Sequence, residues 1–191
     1  MKQIQFTAIF LMLGFFALKA QTGNTIPEGF SAGSIVLPDN STSQGFIKNN
    51  MKKNGEVIFL ATDGKKTKYN ALQLSAVQLY NENFIVTSNA FYKVVTDGAK
   101  IRLLRKASNV SSIQYNGSEP IVIAAGEGSF DDYFIQTVAT KQLQLVRKKD
   151  FQKIFTTTCA DCLTLSDELK ANKIGFGEIE QAVSLYNTCA K

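Results

Sequence analysis

The chain has 191 residues, 21 Lys and Arg against 16 Asp and Glu, a net charge of +5, and neither His nor Trp. Without His it supplies no Ser-His-Asp or Cys-His pair, no histidine zinc site and no imidazole acid-base group, which sets aside the common hydrolytic routes. Its mild and dispersed basicity gives no reason to invoke nucleic acid, which asks for a concentrated stripe of Lys and Arg, and the lack of Trp leaves only Tyr and Phe as stacking surfaces for sugars.

Residues 1–20 have the order of an export signal: Lys2, an apolar run from Ala8 to Leu18, then the small residue Ala20 before Gln21. The run is too short to span a bilayer comfortably as a helix. Leu18 is bulkier than the residue usually found two before the cut, so the signal is clearer than its cleavage point. The segment carries Lys2 and Lys19 and no acid, which leaves a mature net charge of +3. About 170 residues remain, the size of one ordinary domain with a single sizeable core. No Cys precedes Cys159, so lipid attachment at a processed N-terminal Cys is excluded. The expectation is an exported protein, periplasmic or extracellular, with no transmembrane segment after signal removal and with residues 21–32 as an N-terminal extension.

From residue 33 to 148 the chain is a succession of short β-prone runs separated by turn residues. The expected strands are 34–37, 45–48, 56–61, 76–80, 83–87, 91–95, 100–105, 111–115, 121–125, 133–138 and 142–147. Asp97-Gly98 has the form of a two-residue type I′ hairpin turn, Asp63-Gly64 and Asn116-Gly117 repeat the signal, and Asn81-Glu82 makes a fourth reversal. In Gln142 to Leu145 the residues alternate, which turns Leu143 and Leu145 to the core. Val57 to Leu60 and Ile121 to Ala124 are apolar at every position, which predicts strands that are central or covered by another layer. The fold class is mainly β (α+β): an antiparallel sheet of about ten short strands forming a sandwich, coiled sheet or barrel.

From residue 149 to 191 the period becomes helical. Asp150 to Thr157 forms one short helix. Cys162, Leu165 and Leu169 mark a face of a second near 161–173, which Gly175 and Gly177 end. Ile179, Ala182, Val183, Tyr186 and Cys189 then have helical spacing, so the chain ends in a helical hairpin packed on the sheet.

Three Cys in an oxidising compartment make one pair and one leftover. Cys162 and Cys189 lie on the inner faces of the terminal helices, and a bridge there would staple the hairpin with roughly 3 to 4 kcal/mol on the chain-entropy account. Cys159 is then a free or buried thiol; pairing of Cys159 with Cys189 is the rival. Cys159-Ala160-Asp161-Cys162 also has the spacing of a redox C-x-x-C at a helix start. Its context differs, because a thioredoxin-like motif follows a strand near the start of a βαβ unit.

Other motifs have a chemical and a plainer reading. Gly126-Glu127-Gly128 resembles the start of a phosphate loop but has Asp131 where a third glycine belongs and no helix after it, so it reads as a hairpin loop. Glu127, Asp131 and Asp132 are hard-cation ligand types without the spacing of a calcium loop. The basic groups Lys52-Lys53, Lys65-Lys66-Lys68, Arg102-Arg105-Lys106 and Arg147-Lys148-Lys149 suit anionic polysaccharide or lipid headgroups if folding gathers them. Otherwise they protect strand edges. Phe84, Phe91, Tyr92, Tyr133 and Phe134 line a ligand cavity or, more simply, pack across strands.

Three stretches together resemble a family of exported, uncharacterised β-rich proteins from Bacteroidota. They are Gly33-Ser34-Ile35-Val36-Leu37 with Gly45-Phe46-Ile47-Lys48, running on into Val57-Ile58-Phe59; Tyr92 to Gly98 leading into Ile101 to Leu104; and Asp161-Cys162 and Leu165 with Tyr186-Asn187-x-Cys189. The resemblance implies a shared architecture and a pairing of Cys162 with Cys189, Cys159 departing from the family pattern, and it carries over no catalytic residue. The function expected is a non-enzymatic binding or structural module of the cell envelope, with an unknown envelope or extracellular partner or ligand, no cofactor and no metal. The alternatives are a carrier of a small apolar ligand (lipid), since a barrel with a terminal helix can enclose a cavity, and a thiol-disulfide oxidoreductase using Cys159 and Cys162.

Overall fold

Among the described residues, short β-prone runs between Ser31 and Val146 form twelve strands, ten of them in a single antiparallel sheet. The computed structural model describes residues 26–189, so the expected signal segment lies outside the described residues. The strands are β1 (Ser31–Val36), β2 (Thr42–Asn50), β3 (Glu56–Ala61), β4 (Lys66–Asn70), β5 (Ala76–Leu79), β6 (Glu82–Thr87), β7 (Ala90–Thr96), β8 (Ile101–Lys106), β9 (Ser112–Asn116), β10 (Glu119–Ile123), β11 (Tyr133–Thr137) and β12 (Leu143–Val146). A four-residue helix, α1 (Met51–Asn54), joins β2 to β3, and α2 (Phe151–Thr158), α3 (Leu163–Lys170) and α4 (Ile179–Thr188) close the chain.

The sheet order is β12-β11-β8-β7-β6-β5-β1-β2-β3-β4, open at β12 and β4, which makes it a coiled or sandwich-like sheet and not a closed barrel. It grows outward from β1 on both sides. Gly33 of β1 lies opposite Gly45 of β2, and a Cβ at either would collide with a neighbouring strand carbonyl, Gln78 O or Leu60 O. The two glycines let neighbouring backbones approach closely.

Three interior clusters are filled by side chains. Ile35, Ile47, Val57, Phe59, Val77, Phe84 and Phe91 form one with Met51 of α1 and with Ala71 and Leu74 of the β4–β5 connection. Ile101, Leu103, Ile135 and Val146 face the helices, while Tyr92, Leu104, Phe134 and Leu145 pack on the opposite side. Leu103 and Leu104 therefore point to opposite faces, as the period-two geometry of β8 requires, and both faces of β8 are covered. Helices α2, α3 and α4 cover one of them with Phe151, Phe155, Leu165, Leu169, Ala182 and Val183.

Several expectations change. Lys66–Asn70 is a strand and Met51–Asn54 a helix, neither visible as an apolar period, because both are short and largely polar. Asp97-Gly98 is not a two-residue turn: β7 and β8 are joined by four residues, with a bulge at Val94 and Thr96. A two-residue reversal lies instead in the β6–β7 hairpin, with Ser88 and Asn89 at φ 45° and 59° as a type I′ turn requires. The β5–β6 turn is centred on Tyr80-Asn81, one residue earlier than expected, with Leu79 opposite Glu82. Ile121 to Ala124 is neither central nor covered. Its residues belong to or follow β10, which pairs only with β9 in a two-stranded sheet of its own.

Candidate functional site

Between β8 and β11 the chain leaves the main sheet, makes the β9–β10 hairpin and returns. Gly117, at φ 62°, opens its two-residue turn. In this register Ile113 lies opposite Val122 and Tyr115 opposite Pro120. Opposed residues share a face, so these four apolar side chains form one side of the arm. All four are exposed, Ile113 at 52 %, Tyr115 at 68 % and Val122 at 68 %. The other side is mixed, with Gln114 opposite Ile121 and Ser112 opposite Ile123.

Both roots of the arm are fixed. On the outgoing side Ser108 and Ser112 are buried, and Val110 packs so closely on Gly55 that a Cβ there would lie 3.0 Å from it. On the return side Ala125 enters the cluster of Tyr92 and Phe134. The Lys106 ammonium, buried at the end of β8, then donates to the carbonyls of Gly126 at 3.2 Å, Glu127 at 2.7 Å and Gly128 at 2.9 Å. Those three acceptors use all three of its donors. Burial pulls its pKa below the usual lysine value, opposed by the charges of Asp132 and Glu127. Gly126 and Gly128 adopt φ 72° and 77°, which turns their carbonyls onto the ammonium. A shallow groove of about 340 Å³ runs between Ile113 and Tyr115 on the arm and Asn70 at the end of β4 with Leu72 and Gln73 beyond it.

The residues singled out in the sequence are dispersed over the fold. Cys162, at the start of α3, is bonded to Cys189, at the end of α4, with Cα atoms 5.9 Å apart. Cys159 is free and buried. Burial first, and the nearby Asp161 second, push its thiol up to about 12, against a smaller opposing effect of Lys100, which leaves it a protonated, poor nucleophile at neutral pH. Asp131 pairs with Arg105 at 2.6 Å, and Asp132 accepts from the Ser129 amide at 2.8 Å. No group of three or more Cys, Asp or Glu that could hold a metal ion occurs among the described residues.

The aromatic residues divide between faces. Phe84 and Phe91 belong to one cluster, Tyr92 and Phe134 meet edge to face at 5.1 Å in another, and Tyr133 turns to Phe176 at 5.9 Å. They do not line one cavity. A groove of about 460 Å³ along the free edge of β12 includes Glu127, Arg147, Asp150 and Lys153 in its lining, a charged surface rather than an apolar tunnel.

The exposed arm escapes a reading of sequence alone because its strands carry the composition of buried ones. One signal was available: Ile113 and Tyr115 alternate with polar residues, the pattern of a strand with only one side on apolar material. Among known proteins, the chain matches no family model, no curated protein and no solved structure.

Proposed function

We propose that the chain is an exported, non-enzymatic module of the cell envelope that docks a protein partner through the apolar face of the β9–β10 hairpin. That face carries the reading: Ile113, Tyr115, Pro120 and Val122 lie in matched register on one side of a two-stranded arm and are exposed. A two-stranded ribbon is marginal by itself in water, and a contiguous exposed apolar surface on a soluble protein marks an interaction site. The arm is rooted by Lys106, Ala125 and Val110, so it is presented in a set orientation, which lowers the ordering cost of binding. The disulfide supports an oxidising compartment, in keeping with the signal-like start and the resemblance to exported Bacteroidota proteins. The lack of His supports a role without acid-base catalysis.

The test is capture from solubilised envelope with the purified protein and with Ile113→Ser/Val122→Ser. A partner retained by the first and lost by the second supports the reading. Equal capture by both, or steady hydrolytic or thiol-disulfide turnover by the unaltered protein, overturns it.

A further inference from the structure

Basic groups that are far apart along the chain meet in one cavity. Lys52 of α1, Lys93 of β7, and Arg105 and Lys106 at the end of β8 all border a cavity of about 230 Å³. One carboxylate, Asp131, lines it with them, and it accepts from Arg105 Nη2 at 2.6 Å. Lys93 pairs with Glu82, which stands outside the cavity. Lys52 makes no ion pair among the described residues; its ammonium lies 4.4 Å from the ring centre of Phe130. Lys106 spends its donors on the 126–128 carbonyls and contributes charge without offering a hydrogen bond.

The Nε of Arg105 is buried and has no acceptor. An unmet donor on a guanidinium is costly, and here it belongs to the one residue in the cavity whose partner engages only Nη2. Phe84 and Phe130 supply apolar walls, and a wall of low polarity strengthens any charge interaction beside it.

We propose that this cavity binds a phosphate group. Its volume is below that of a pocket for a whole ligand, so it takes a terminal group and leaves the rest of the molecule outside. The open donors come from α1, β7 and β8 and not from one planar fork. Ammonium groups act as point charges that suit the tetrahedral oxygens of phosphate, whereas a planar carboxylate is best met by a bidentate guanidinium, and Asp131 already takes Nη2 of Arg105. The phosphate is either free, as in soluble phosphomonoesters, or the headgroup of a lipid. This site is separate from the hairpin and stands or falls without it.

The experiment is calorimetric titration of the purified protein with inorganic phosphate at constant ionic strength held by chloride. Lys52→Gln/Lys93→Gln is compared with Lys148→Gln/Lys149→Gln, which removes the same charge at an exposed turn; Lys52→Gln alone serves if the cavity pair lowers thermal stability. Saturable binding that weakens by about tenfold or more in the cavity variant, and by less than about twofold in the control, is the expected result. No saturable binding at millimolar phosphate, or equal weakening in both variants, overturns the proposal. Glycerol phosphate and phosphatidate vesicles separate the sources: binding of the first alone assigns soluble phosphomonoesters, and binding of the vesicles assigns a lipid headgroup.

Discussion

Asn187, near the end of α4, occupies the space that a side chain at Gly98 would need, for any Cβ there would overlap its amide. The amide Oδ1 accepts from the backbone N–H groups of Lys100 at 2.9 Å and Ile101 at 3.1 Å, and Nδ2 donates to the carbonyls of Ile101 at 2.9 Å and Val183 at 3.0 Å. One side chain thus ties the last helix to the start of β8 with three hydrogen bonds, the fourth staying within α4, and the glycine in the preceding connection makes room for it.

Asn187→Ala leaves the buried N–H of Ile101 without a partner and is expected to cost about 2 kcal/mol in urea unfolding. Gly98→Ala costs a similar amount through overlap with Asn187. In the double variant the overlap is gone, so the two effects fall short of adding by about 1 kcal/mol. Additive losses would show that the pair is not coupled.

The bond between Cys162 and Cys189 spans 27 residues of sequence. On the chain-entropy account, Cys162→Ser/Cys189→Ser loses about 3.5 kcal/mol. The unaltered protein in excess reductant should melt at the same lowered temperature as the variant, by circular dichroism. Since the bridge joins the ends of α3 and α4 and not the sheet, amide exchange should rise first in those helices.

The Cys159 thiol titrates at about 12 in the folded protein against an ordinary value of 9.0, through burial and Asp161. An acid whose pKa is raised by folding contributes stability that is full below the unfolded value and is lost as pH rises through the folded one. The stability difference between the unaltered protein and Cys159→Ala should therefore shrink between about pH 9 and pH 12. In the same view, Cys159 reacts with a thiol reagent at pH 8 only after unfolding in urea.

Lys106→Met removes the ammonium that holds three carbonyls while keeping most of the stem's volume. The expected loss is about 2 kcal/mol, with amide exchange accelerated in residues 126–132 ahead of the sheet. Global unfolding at an unchanged local rate would mean that the loop holds itself.

Ile113→Ser/Val122→Ser should leave stability within about 0.5 kcal/mol, because both side chains stand in solvent. A larger loss in thermal unfolding would reveal that the arm packs against the body in solution.

Much of the architecture was legible in order. The alternation of Leu143 to Leu145 and the helical spacing from Ile179 to Cys189 each describe a local period, and period is a property of the chain. The pairing of Cys162 with Cys189 was readable because both lie at the ends of adjacent helices. The turns were less so: Gly98 looks like a turn glycine, yet it answers to Asn187, a residue 89 positions later. Proximity of that kind is a consequence of packing and leaves no mark near Gly98.

The candidate sites divide along the same line. That Ile113, Tyr115, Ile121 and Val122 are apolar is written in the chain, but whether apolar residues are covered depends on which strands lie beside them, and β9 and β10 have only each other. Likewise the identities of Lys52, Lys93 and Arg105 are sequence facts, whereas their meeting in one cavity follows from the order β8-β7 in the sheet and from α1 beside it. Local propensity acts over a few residues and sets the elements; burial and charge clustering arise from contacts between distant ones, which only the folded chain brings together.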